Sequence, residues 1–180
     1  TYKHCNKSYV MAALRPGRAM RNKERPWTRF SVRKTKSYIP TMPAQKMHQF
    51  VMGEINGTFD TTLKLVSKGS GQIRDNALEA SRIVSTNFLE KKLTKSYFMK
   101  YLLYPHQVIR EKPIAQGAGA DRYSMGMKLA FGKPTVKAVQ IHPEQALLML
   151  KLNKGNLELG KQALKKAALK LPVPMRIVVE

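Results

Sequence analysis

The chain has 180 residues, and its 33 Lys+Arg against 11 Asp+Glu leave a formal net charge of +22. So much like charge repels itself in a compact fold, which argues against an ordinary enzyme and points to a polyanionic partner, nucleic acid first. The 43% of hydrophobic residues suits one folded core rather than a disordered chain, and the single cysteine, Cys5, excludes a disulfide framework and a cysteine zinc site.

No run approaches the roughly 18 uncharged apolar residues of a membrane span. A soluble, unsecreted protein of a reducing compartment is expected, with no membrane partner, organised as one domain and an arm. The charge is uneven. Residues 1–46 carry twelve bases and one acid, Glu24, a net of 12 − 1 = +11, and residues 47–180 carry 21 bases and ten acids, again +11.

Within residues 1–46 the cations Arg15, Arg18, Arg21, Lys23, Arg25, Arg29, Arg33, Lys34 and Lys36 recur every two to four positions, with Arg33 and Lys34 adjacent. Pro16, Pro26, Pro40 and Pro43 interrupt them, and proline removes a helix donor and clashes with the preceding turn. The segment reads as an extended basic arm that RNA orders. Arginines at this density suit bidentate phosphate contacts. Trp27 lies among them with Phe30 and Tyr38, where a ring stacks on an unpaired base or tacks the arm to the body.

From about His48 the patterning is that of a compact fold. Residues 61–68 (TTLKLVSK) alternate Leu63 and Leu65 against Lys64, which is a strand closed by Gly69-Ser70-Gly71. Ile73, Ala77, Ala80, Val84 and Phe88 advance by four, three, four and four, one face of a helix between Asp75 and Lys92. Lys91 and Lys92 suit its negative end. Residues 97–104 form an apolar strand closed by Pro105.

Residues 136–141 and 146–152 read as two more strands. Gly155-Asn156 then opens a helix with Leu157, Leu164, Ala168 and Leu171 as its stripe, Pro172 stops it, and residues 173–179 give a last strand. Strand, helix and strand thus recur twice. The expected fold is α+β: a two-layer sandwich whose mixed sheet is covered by two helices, spanning residues 47–180.

Residues 112–132 (KPIAQGAGADRYSMGMKLAFG) have no sustained period and are longer than an ordinary connection. Gly117 and Gly119 permit close backbone approach to a phosphate, and Arg122, Lys128 and Lys133 bring charge. A hairpin tip without a ligand is the bland alternative.

Catalytic signatures fail. Arg122 stands where a dinucleotide fingerprint needs its third glycine, and Gly132-Lys133-Pro134 lacks the Ser or Thr of a phosphate-binding loop. His4, His48, His106 and His142 are too scattered to place two imidazoles on one metal, so no catalytic residue, metal or cofactor is expected.

Four segments resemble a known family: MAALRPGRAMRNKERPWTRFSVRK (11–34), KMHQFVMG (46–53), REKPIAQGAGADRYSMGMKLAFGKP (110–134) and KKAALKLPVPMRIV (165–178). They are similar to large-subunit ribosomal protein ten-e of archaea and eukaryotes, the counterpart of bacterial large-subunit protein sixteen. The resemblance implies a cytoplasmic structural protein embedded in large-subunit ribosomal RNA near the aminoacyl-tRNA site, among neighbouring ribosomal proteins. It also implies that the glycine-rich loop points toward tRNA acceptor ends, with Lys112, Gln116, Gly117, Gly119 and Arg122 closest to tRNA. The arm cations, Trp27, Lys128 and Lys133 are then the ribosomal RNA contacts. Members of this kind start near Met11, so residues 1–10 read as an extension, and the end at Glu180 favours an archaeal-type protein.

Two other classes compete. An RNA-modifying enzyme would retain a methyl donor or nucleotide when purified, and a chromatin-type DNA binder would bind duplex DNA as well as structured RNA.

Overall fold

The computed structural model describes residues 41–94, 96–126 and 132–180, together with Arg33, Thr35 and Ile39. Arg15, Arg18, Arg21, Lys23, Arg25, Trp27, Arg29, Lys34, Lys36 and Lys128 lie outside the described residues.

Among the described residues the strands and α-helices follow in chain order: β1 (Val51–Gly53), β2 (Thr61–Ser67), β3 (Gly71–Arg74), α1 (Asp75–Leu93), β4 (Phe98–Tyr101), β5 (Gln107–Glu111), β6 (Lys133–Ile141), β7 (Ala146–Leu152), α2 (Leu157–Ala168) and β8 (Met175–Val179). The class is α+β, as expected. Its strands form two sheets, one ordered β1-β4-β7-β2-β8 and one ordered β3-β6-β5, and each pairing is antiparallel.

The division into two sheets arises at two short connections, β2 to β3 and β6 to β7, neither long enough for a parallel crossover. They cross side by side. Ser67 donates its N–H to the Gln145 carbonyl at 3.0 Å and accepts the Glu144 N–H at 2.9 Å. β1, β3 and β5 are short strands that the sequence reading does not resolve. Ile73, assigned there to the helix stripe, lies in β3 opposite Val139.

Both helices pack on one face of the five-stranded sheet. The register aligns Met99, Leu150 and Leu63 across β4, β7 and β2, and Tyr101, Leu148 and Leu65 in the adjacent row. All six are buried, and each buried leucine contributes about 1.5–3 kcal/mol. α2 meets this face through Gly160, Ala163, Leu164 and Ala167. A Cβ on Gly160 would lie 2.3 Å from Leu152 Cδ1 and 2.6 Å from Leu63 Cδ1, so the helix approaches the sheet as closely as glycine allows.

The buried stripe of α1 also differs from expectation. It is Leu78, Ser81, Ser85 and Leu89, while Ala77, Ala80, Val84 and Phe88 flank it half-buried. Serines are tolerated here because each is bonded: the Tyr101 hydroxyl donates to Ser81 Oγ at 3.0 Å, and Ser85 Oγ donates to the Ser81 carbonyl at 2.9 Å. An apolar count misses such a face. α2 stops at Ala168, before Leu171, and β8 begins after Pro174, since a proline has no N–H for the ladder.

Candidate nucleic-acid interface

The glycine-rich loop joins β5 to β6 and extends away from the core. At its neck Glu111 pairs with Lys133 in the ladder, and an Arg110 guanidinium nitrogen donates to the Gly132 carbonyl at 3.1 Å. A Cβ on Gly132 would come within 2.6 Å of the Glu111 backbone, so only glycine lets the two strands close there.

The distal part is a built turn. Ala120–Arg122 forms one 3₁₀ turn, entered through Gly119. Arg122 N–H bonds the Gly119 carbonyl at 3.1 Å, Ser124 N–H bonds the Ala120 carbonyl at 3.0 Å, and Ser124 Oγ accepts the Ala115 N–H at 3.1 Å. Gly117 and Gly119 have φ of +104° and +75°, and no atom lies within 4 Å of where a Cβ would stand at either. Glycine is needed there for left-handed backbone rather than for space.

Of the residues singled out in the sequence, the structure gathers Lys112 and Lys133 at the neck and puts Gln116, Gly117, Gly119 and Arg122 at the solvent-facing tip. Arg33 is exposed. Three exposed apolar side chains, Ile114, Tyr123 and Met125, accompany the tip, and Tyr123 is 86% accessible. Sequence reasoning passed over them, although an aromatic ring beside a glycine-rich turn is itself a signal for base stacking.

Several acids are already engaged with cations. Glu79 pairs with Arg82 across one helical turn, Glu180 with Lys64, and Glu144 with Arg176. The hydrogen bond from Arg82 holds the Glu79 carboxyl below the usual carboxylate range, and the same bond raises the guanidinium. The uncompensated charge of the body is therefore basic.

Among the described residues, no group of three or more His, Cys, Asp or Glu side chains is placed to hold a metal. No described helix is long and apolar enough to cross a membrane. Inside the core the Tyr101 hydroxyl is spent on Ser81 Oγ and the Ser85 hydroxyl on the Ser81 main-chain carbonyl. At the surface the glycine-rich loop presents Arg122 at its tip and Lys133 at its neck, groups suited to phosphates.

The sequence profile of the family described as Ribosomal protein L16p/L10e matches residues 27–178. The chain is 40% identical over 169 residues to the large ribosomal subunit protein uL16 of Archaeoglobus fulgidus, covering 93% of this chain and 94% of that one. It is 42% identical over 170 residues to the uL16 of Sulfolobus acidocaldarius, with 92% and 93% covered. With the uL16 of Staphylothermus marinus the identity is 42% over 144 residues, 79% of this chain and 83% of the relative.

Proposed function

The chain belongs to the L16p/L10e family of ribosomal proteins, and on that footing we propose that its glycine-rich loop acts on tRNA at the aminoacyl site while its basic arm, Lys128 and Lys133 hold ribosomal RNA. Family membership makes it a structural constituent of the large ribosomal subunit, associated with ribosomal RNA and ribosomal proteins, and not an enzyme. The RNA-modifying and DNA-binding alternatives fall away with it.

One observation supports the tRNA assignment above others. The described part of the loop, residues 112–126, is held by its own hydrogen bonds and adds no buried residue to the core, with Gln116, Gly117, Gly119, Arg122 and Tyr123 all exposed. A segment with its own shape and no packing role is free to act on a ligand. Lys112 and Arg122 offer phosphate contacts, and Tyr123 offers a stacking face.

The test replaces residues 116–125 with a short Gly/Ser linker and compares subunit assembly with aminoacyl-tRNA accommodation. Assembly is expected to persist while accommodation slows. A variant that cannot enter the subunit, or one that accommodates tRNA at the unaltered rate, refutes the assignment.

A further inference from the structure

The five-stranded sheet has a face on which neither helix packs. Residues alternating with the buried rows point to it, and the register sets them side by side. Val51, Lys100, Met149, Lys64 and Val178 form one row across all five strands. In the adjacent row Lys151 stands between Phe98 and Thr62.

Strands lie about 4.8 Å apart. Lys100 on β4 and Lys64 on β2 are therefore anchored about 10 Å apart, with Lys151 on the strand between them and two residues along. Lys100 is exposed, and the Lys64 side chain retains 31% exposure. The Lys151 ammonium lies 5.9 Å from the centre of the Phe98 ring. None of the five strands contains Asp or Glu.

We propose that this face, through Lys64, Lys100 and Lys151, is a phosphate-binding surface that carries the backbone of ribosomal RNA across β4, β7 and β2. The inference rests on the ribosomal RNA reading above. Lysines are depleted at the centres of protein–protein interfaces, whereas spaced point charges on a rigid sheet suit sequence-blind phosphate contact. Met149 and Phe98 lie beside the lysine stems and keep the ammonium groups at the surface. Among the described residues, the acid that pairs with these lysines is Glu180, whose ion pair with Lys64 is solvent-exposed and weak enough to yield to a phosphate.

The experiment measures binding of the full chain to purified large-subunit ribosomal RNA over a range of salt. It compares wild type with the triple variant Lys64→Gln, Lys100→Gln, Lys151→Gln and with a charge-matched variant on α2 and the turn that follows it, Lys161→Gln, Lys165→Gln, Lys170→Gln. The sheet variant should lose roughly two to three units from the slope of log K against log salt, and bind at least about tenfold more weakly at low salt. The helix variant should change less. Equal losses in both variants, or none in the sheet variant, overturn the proposal. A wild type that binds without salt dependence sinks the ribosomal RNA reading itself.

Should the sheet variant fail to fold, as near-ultraviolet circular dichroism would report, a second measurement decides. A photo-crosslinking residue placed at Met149 is expected to capture RNA in assembled subunits. Capture of protein alone, or of nothing, refutes the surface.

Discussion

One oxygen of the Asp75 carboxylate accepts the main-chain N–H of Lys46 at 3.1 Å and the other accepts that of Asn76 at 2.8 Å. A single buried side chain at the start of α1 thereby pins the segment that enters the body. Gln45, bonded to the Tyr104 hydroxyl, and the buried Met47 lie on either side of that anchor.

Asp75→Ala strands two donors and should lower unfolding stability by about 1–3 kcal/mol. Asp75→Asn keeps one acceptor and should cost less. Urea denaturation of the three proteins checks the order, and an alanine variant as stable as wild type contradicts it.

Burial pushes the Tyr101 phenol up to about 12, above its ordinary value, with the Ser81 and Ser85 hydroxyls pulling the other way. Below about pH 10 the phenol is protonated in both folded and unfolded chains, and its contribution is fully present. Between about pH 10 and 12 the unfolded chain ionises first, so stability falls by up to about 3 kcal/mol. Tyr101→Phe should lose that part of the alkaline decline. Identical alkaline profiles for the two proteins would contradict this assignment.

Gly160→Val drives a branched side chain into Leu152 and Leu63 where α2 lies against the sheet. Overpacking of this kind should cost at least about 2 kcal/mol, more than any gain in helix propensity offsets. Thermal unfolding monitored at 222 nm measures it.

Gly117→Ala with Gly119→Ala meets open space but the wrong backbone region, so the strain should stay local. The loop should become more sensitive to protease, while global stability moves by less than about 1 kcal/mol. A large drop in global stability would show that the loop supports the core.

RNA binding by the full chain should be dominated by counterion release. With about eight to ten phosphates neutralised, log K against log salt should slope near −6 to −9, and a slope shallower than about −3 contradicts dominance by phosphate contacts.

Local pattern was enough for several features. Alternation around Lys64 placed β2, the apolar run placed β7 at residues 146–152, and the 3.6-residue period placed α1 nearly to its ends. Within the aperiodic stretch 112–132, the described residues 112–126 hold no strand or α-helix, because glycine and missing periodicity are local properties of a chain. The excess of basic residues was also legible, since charge needs no fold.

Tertiary structure decided what depends on distant partners. β3 and β5 are strands because β6 supplies hydrogen bonds to both, information that no short window contains. The stripe of α1 includes two serines because Tyr101, on another strand, satisfies one of them, whereas a hydrophobicity period counts serine as polar wherever it points. Lys64, Lys100 and Lys151 are far apart along the chain and become neighbours only through the register of β2, β7 and β4. Composition set the sign and amount of charge, and strand pairing, a long-range choice made by backbone hydrogen bonds and buried leucines, set where that charge faces solvent.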